Sequence, residues 1–405
     1  MARALAVIAD DLTGANDAAI QFVAKGKRTI VVPAFNEGLV CSFIGEYDVV
    51  SINTDTRAMD AGKAMEKVGL VCRDIPGCSV YKKIDSILRG NTAHEIESVM
   101  RSLGFRASFI IPSYPANSRT VENRMLNAGG ISFDAVEHLE AEIGRKIGYI
   151  PLSMIREDAE SILPFAEKSI ELGEDIFLCD AVSLQDIETL VEHLNKPGFM
   201  LAGSAGCASV LAGIGESRFK LEPRKVGGER VLTVLGSVVP LMRRQFRTLR
   251  ESLDPDVAFL DVGLFSRSPE EAVSRALSSL LECKGRNAVL CLSTIVDDSF
   301  DISEHRSEED RKLSKALVDA LSSIAESFIS SMGVSSIIAS GGDTASALVS
   351  RFGAKGLEPL EEILPGIPLL SMVGSSHDDI PIVTKSGSFG SDDALVIITR
   401  YLMDL

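Results

Sequence analysis

The chain has 405 residues and a formal net charge of −16, with 41 Lys and Arg against 57 Asp and Glu, which excludes the basic footprint of a duplex nucleic-acid binder. It contains no Trp and only 5 Tyr, too few aromatics for the stacking platforms that hold single strands. Hydrophobic residues at 45% and charged residues at 24% are a globular composition, and the length suits two α/β domains better than one.

The opening MARALAVIADDLTG has too short an apolar run for a secretory signal, and no stretch reaches the roughly 18 apolar residues of a membrane helix. The 7 Cys include no CxxC pair, so they read as reduced, mostly buried thiols of a soluble, cytoplasmic protein.

In chain order, a β-branched run at Ala4–Ala9 predicts a strand that ends on Asp10-Asp11-Leu12-Thr13-Gly14, followed by a helix to about Lys25. Two adjacent carboxylates at a strand end can accept hydrogen bonds from substrate hydroxyls or reach a hydrated metal ion. Capping the helix accounts for one of them and not for both. The next motif strand is Ser79–Ile84. Alternation sends Lys82 and Lys83 to opposite faces, so at most one of them points at a site from the strand itself. Asp85 and Ser86 stand at its end, and Arg89-Gly90-Asn91 turns into a helix over Thr92–Leu103. Here a guanidinium fork can hold a carboxylate while Asn91 reads a hydroxyl; an internal Asp85–Arg89 pair with an Asn cap is the structural alternative. A strand at Ala107–Ile111 leads into Pro112–Arg119, where two prolines stiffen the loop and bring Arg119 to the same sheet edge. Phe199–Ala202 is a further strand, and Gly203-Ser204-Ala205-Gly206 reads as a structural or interfacial turn.

Charge and glycine at Leu221–Glu229 mark a linker, dividing the chain into domains 1–225 and 226–405. Beyond it, the strand Arg230–Leu235 ends on Gly236-Ser237 before a helix over Pro240–Arg250. Asn287–Leu292 is another strand, and the charged stretch Asp297–Lys312 reads as a solvated loop entering a helix or as a mobile lid. The strand Ser335–Ala339 precedes Ser340-Gly341-Gly342-Asp343-Thr344 and a helix over Ala345–Phe352; Lys385–Gly390 precedes the last helix. Three glycine turns, two of them at helix starts after strands, make a phosphate cradle and point to a nucleotide. Asp343 can hold Mg²⁺ through water or accept a proton. Strands alternating with helices give the fold class: α/β, two domains, each a mostly parallel sheet flanked by helices, whose ligands sit beyond the carboxyl ends of the strands. No Walker motif, intact GxGxxG, HExxH or GxSxG is present.

Together these segments resemble the four-carbon acid sugar kinases (YgbK-like). The carriers are ADDLTGANDAA (Ala9–Ala19), NTDTR (Asn53–Arg57), KKIDSILRGN (Lys82–Asn91), GSAG (Gly203–Gly206), LGS (Leu235–Ser237), SGGDTA (Ser340–Ala345), PGIPL (Pro365–Leu369) and KSGSFG (Lys385–Gly390). The resemblance implies an N-terminal acid-sugar-binding domain, a C-terminal ATP-binding domain, and phosphoryl transfer in the interdomain cleft to threonate, erythronate or 3-oxo-tetronate. It implies Asp11, Arg57, Asp85, Arg89, Gly90 and Asn91 at the sugar acid, where the residues themselves add Asp10, Lys82 and Arg119. It implies Ser237, Gly341, Gly342, Asp343, Thr344 and Gly387 at ATP, used with Mg²⁺. Asp343, Asp11 and Asp85 are the candidate bases. The sequence departs from the family at Ser118, where a Gly is usual, and at Met242, where a Thr is usual. A non-catalytic sugar-acid sensor, or a dehydrogenase or aldolase on the same metabolites, is the alternative; a homodimer is the default assembly.

Overall fold

The computed structural model describes residues 4–217, 228, 230–297 and 307–403. Two compact units divide the chain, Met1–Leu221 and Glu222–Leu405. Apart from Gly228, the expected linker from Leu221 to Glu229 lies outside the described residues, as do residues 298–306 of the charged stretch. The described remainder of that stretch opens the helix Glu308–Met332 through a Ser307–Asp310 capping box.

The strands of the first unit are β1 (Leu5–Ala9), β2 (Thr29–Val32), β3 (Val49–Asn53), β4 (Ser79–Lys83), β5 (Ala107–Ile111), β6 (Arg119–Glu122), β7 (Met125–Ala128), β8 (Ile131–Asp134), β9 (Gly148–Ile150), β10 (Ile176–Cys179) and β11 (Phe199–Gly203). Eight of them pair in parallel in the order β2-β3-β1-β4-β11-β5-β10-β9. Both faces are covered, and β1, β2, β3 and β5 are apolar or buried almost throughout, as a doubly covered parallel sheet requires. Phe109 stacks on Phe177 at 5.1 Å and meets the edge of Phe199 at 5.3 Å, locking three neighbouring strands together. The strands β6, β7 and β8 form a small antiparallel sheet.

After β1 the chain builds β2 and β3 on one side, then crosses to the other for β4. That reversal leaves a crevice at the carboxyl ends of β3, β1 and β4, the place where open α/β sheets take ligands. Asp10-Asp11, the loop after Asn53, and Asp85 all fall there.

The second unit repeats the logic with β12 (Val231–Leu235), β13 (Asp256–Leu260), β14 (Asn287–Leu292), β15 (Ser336–Ser340), β16 (Gly356–Leu364), β17 (Ile367–Val373) and β18 (Ile382–Lys385). Here β13-β14-β12-β15-β18 run parallel, β17 lies antiparallel on β18, and β16 antiparallel on β17. The chain reverses between β12 and β15, so the crevice lies at the carboxyl ends of β12, β15 and β18. The three glycine turns follow those three strands. The expected fold, two α/β domains with mostly parallel sheets and helices, is the observed one; the β16–β17 hairpin is its antiparallel addition.

Candidate functional site

Two constellations stand at the two strand-order reversals. In the first unit, Asp11 caps the helix Leu12–Val23, its Oδ1 accepting from the Gly14 N–H at 2.7 Å. Its Oδ2 meets Arg57 Nη1. Asp10 takes Arg57 in bidentate fashion, accepting from Nε at 2.8 Å and from Nη2 at 2.9 Å. Asp85 lies 3.7 Å from the same guanidinium. Thus one arginine, in the loop after β3, binds three carboxylates from the ends of two strands, β1 and β4, an arrangement that its planar five-donor fork allows and a lysine does not.

The loop carrying Arg57 is fixed from several sides. The N–H groups of Thr56 and Arg57 donate to the Asp10 carbonyl at 2.9 and 3.2 Å. Asn91 Nδ2 donates to the carbonyls of Thr56 and Met59 at 3.1 and 3.0 Å. Asn91 therefore serves this loop with its donors, while Oδ1 is left for other contacts. From below, Thr56 Oγ1 donates to Glu95 Oε1 at 2.6 Å, and Glu95 Oε2 pairs with Lys82 Nζ at 2.8 Å.

That pair corrects one expectation. Lys82 is 1% exposed, and its ammonium is saturated by Glu95, by the Ile8 carbonyl at 3.2 Å and by the Lys83 carbonyl at 2.9 Å. Its ion pair connects it to the Arg57 loop through Glu95 and Thr56. The lysine that stands beside Asp11 is Lys83, whose ammonium would lie 3.3 Å from a Cβ placed on Gly14 and whose charge acts on Asp11. Alternation allowed only one of the two; the partner on the following helix, Glu95, decides which.

Asp85 accepts from the Ile87 N–H at 3.0 Å and from Arg89 Nε and Nη2 at 3.2 and 2.6 Å. The structural Asp85–Arg89 pair is thus present, yet the Arg89 side chain remains 58% exposed and keeps donors for a ligand. Gly90, at φ +93°, covers the Asp10–Arg57 pair so closely that a Cβ would stand 3.2 Å from Asp10 Oδ2 and 3.3 Å from Arg57 Cγ. Positive φ also occurs at Asp55, Leu88 and Ser118, all in the loops around this crevice, where strained backbone tends to collect. Ser118 takes the left-handed conformation (φ 54°, ψ 41°) that a glycine adopts without cost. The next residue, Arg119, reaches across to donate to Ser86 Oγ.

These partners set the protonation of Asp11 and Asp85 apart. Burial pushes the Asp11 carboxyl up, opposed by Arg57 and Lys83 and reinforced by Asp10. Burial acts upward on Asp85 too, but hydrogen bonds and charge from Arg89, then charge from Arg57, outweigh it and hold Asp85 well below the usual carboxylate range.

In the second unit the turns interlock. A Cβ on Gly236 would collide with Thr344 Oγ1, and one on Gly387 would collide with Ser237 Oγ. Gly341, at φ +111°, packs against Ser237 and Thr344, and its N–H donates to the Lys385 carbonyl at 2.9 Å. Gln245 holds the last turn by donating to the carbonyls of Phe389 at 3.0 Å and Ser391 at 2.8 Å. Ser237, Gly341, Thr344 and Gly387 therefore meet at one point. Gly342 and Asp343 open the helix Gly342–Arg351 beside them, with Asp343 exposed. Met242 is buried, and its sulfur accepts from Ser340 Oγ at 3.8 Å. Among the described residues no cluster of three or more His, Cys, Asp or Glu is placed to hold a metal.

Comparison with known proteins separates the same two parts. Residues 5–211 match the family described as a sugar-binding N-terminal domain, and residues 232–395 match the nucleotide-binding C-terminal domain. The D-threonate kinase of Salmonella typhimurium is 29% identical, the alignment covering 98% of each chain. The D-erythronate kinase of Heliobacterium modesticaldum is 25% identical over 98% of this chain and 96% of that protein. The chain belongs to the four-carbon acid sugar kinases. A solved member of the fold, Haemophilus influenzae protein HI1011, superposes with a TM-score of 0.69 at 22% identity, covering 98% of this chain and all of that one.

Three buried residues beside these constellations were not chosen from the sequence: Lys83 (weighed there against Lys82), Glu95 and Lys385. The first two depend on a pairing between a strand and the next helix. Lys385 carried a readable signal, since it is a lysine ending a run of apolar residues just before a glycine turn. The residue is 1% exposed, its ammonium donates to the Ser386 carbonyl at 2.9 Å, and burial lowers its pKa to about 7.

Proposed function

We propose that the chain is an ATP-dependent kinase that phosphorylates a hydroxyl of a four-carbon sugar acid such as threonate, erythronate or 3-oxo-tetronate. The observation that carries this reading is the unlike chemistry at the two strand-order reversals. One gathers carboxylates, guanidinium groups and a lysine suited to a polyhydroxy acid; the other gathers close-packed glycine turns suited to a phosphate chain.

On the acid side, exposed Arg89 and the neighbouring Arg119 hold the substrate carboxylate, and Asp11 and Lys83 meet its hydroxyls. Asp10 and Arg57 form the rigid floor that keeps Asp11 in place. Asp85 positions Arg89; a carboxylate held so far below the usual range is a poor proton acceptor. Asp11, pushed upward and partly exposed, is the group that takes the hydroxyl proton during transfer.

The nucleotide-side residues fit ATP: the turns at Gly236, Gly341 and Gly387 bring backbone and hydroxyls together where side chains would block approach. ATP, when bound, supplies the γ-phosphoryl group, and such transfer depends on alignment and charge neutralisation more than on covalent help from the protein. Exposed Asp343 is the carboxylate that would reach Mg²⁺ through water. Without a built cage among the described residues, the ion would arrive with the phosphates and keep much of its own hydration.

The test is ADP release with Mg-ATP against D- and L-threonate, D- and L-erythronate and the 3-oxo-tetronates. Turnover with one of these acids is expected. ATP binding without turnover would point to an acid outside this panel, and absence of both would end the kinase reading and favour the sensor.

A further inference from the structure

Four lysines are buried in the described structure, and their ammonium groups differ in how they are satisfied. Lys27 donates to two backbone carbonyls, those of Ile214 and Gly215. Lys82 has Glu95 and two carbonyls. Lys83 donates to the Ile84 carbonyl at 2.9 Å and lies in the field of Asp11. Lys385 stands apart. It is as buried as Lys82, at 1% exposure, but among the described residues only the Ser386 carbonyl accepts from it. Among the described residues no carboxylate pairs with it.

An ammonium has three donors and a full charge, and a protein interior penalises both unless they are met. The position is informative. Lys385 is the last residue of β18, and its carbonyl accepts from Gly341, so it belongs to the joint where the turns after β12, β15 and β18 meet. Its side chain reaches past the strand end, as shown by the bond to Ser386 in the following turn.

We propose that Lys385 is a ligand of the ATP phosphate chain, its two open donors and its charge being completed by phosphate oxygens when the nucleotide lies across the turns around Ser237, Gly341 and Gly387. This rests on the kinase reading and deepens it. The second unit then offers the phosphates one compact, nearly desolvated positive charge in addition to its backbone N–H groups. A charge-assisted hydrogen bond in such surroundings is about twice as strong as a neutral one. Lys385 also explains how an acidic protein concentrates positive potential on its anionic ligand.

The test compares wild type with Lys385→Met by titration calorimetry using ATP, ADP and adenosine, together with thermal unfolding of the free proteins. The variant is expected to lose at least about ten-fold in affinity for ATP and ADP. It is expected to bind adenosine like wild type, and to melt no lower, because an uncompensated charge has been replaced by an apolar chain of similar volume. Unchanged ATP affinity in Lys385→Met would overturn the assignment. So would a variant that melts well below wild type or loses adenosine in proportion, since the lysine would then serve the fold and not the phosphates. A wild-type chain that binds no ATP at all would instead overturn the kinase reading on which the assignment stands.

Discussion

The two strand-order reversals are built to the same plan and differ in how their charges are paired. Each lies at the carboxyl ends of three adjacent strands, and each has a buried lysine at the end of a strand that donates to the carbonyl of the next residue: Lys83 to Ile84, and Lys385 to Ser386. In the first unit the cations are already answered, Arg57 by Asp10, Asp11 and Asp85, and Lys83 by the charge of Asp11. In the second unit the lysine is left unanswered by any described carboxylate. A site for a polyhydroxy acid needs acceptors for hydroxyls as much as cations for the carboxylate, so its charges come paired. A site for a phosphate chain needs net positive charge, and the ligand supplies the counterion.

The largest effect expected from breaking this contrast is at Arg57. Arg57→Met would leave three carboxylates facing one another around a buried gap, costing about 3–5 kcal/mol of stability. It would also remove the floor under Asp11 and lower kcat/KM by at least about a thousand-fold, since misplaced groups forfeit the gain of alignment. Turnover and chemical denaturation check both. Next comes the pair of lysines that share 1% exposure. Lys82→Met strands Glu95 and should cost about 3–5 kcal/mol, whereas Lys385→Met should cost nothing; urea midpoints of the two variants compare them directly. A smaller effect is expected at Gly90, where alanine must adopt φ +93° at a cost of about 1–3 kcal/mol. Its Cβ would press on Asp10 and Arg57, so KM for the acid should rise while KM for ATP stays put in steady-state kinetics.

The smallest effect is in proton balance. Burial brings Lys385 down to about 7 from an ordinary 10.5. Below that window both folded and unfolded chains hold the proton and the burial penalty is complete; within it the folded chain sheds the proton first, so stability of the free protein rises with pH. Bound phosphate reverses the preference and draws the proton back. Nucleotide binding at pH 8 should therefore take up a fraction of a proton, read as a difference in binding enthalpy between buffers of unlike ionisation heat, and Lys385→Met should abolish that uptake.

Much of this was legible in the sequence because the motif strands are β-branched runs ending on Asp, Ser or Gly. Ala107–Ile111 and Asn287–Leu292 fall at their predicted bounds, and Thr92–Leu103 is stopped by Gly104 at φ 74°. What escaped depended on distant partners. The hairpin of β6 and β7 turns through Asn123 and Arg124, both at positive φ, and Asp180 makes that turn possible by accepting their N–H groups from 57 and 56 residues away. The four-residue strand Thr29–Val32 is wholly buried, with no glycine turn after it to announce it. At the site, the motif KKIDSILRGN located the crevice, but which of Lys82 and Lys83 stands beside Asp11 was written in Glu95, on the next helix, which takes Lys82. The double aspartate had a similar ambiguity. Asp11 proved to be both the cap and the outer carboxylate, and Asp10 the bidentate partner of an arginine 47 residues on.

The division of labour between the two units is tested most directly by a crossed pair of variants, Arg89→Ala and Ser237→Ala, each assayed for its KM toward the sugar acid and toward ATP. Arg89 is largely exposed and Ser237 half-buried, so neither change should unfold the chain. Arg89→Ala should raise KM for the acid at least about ten-fold and leave KM for ATP unchanged, and Ser237→Ala should do the reverse. A variant that raised both together, or Arg89→Ala acting on ATP alone, would contradict the assignment of acid to the first unit and nucleotide to the second.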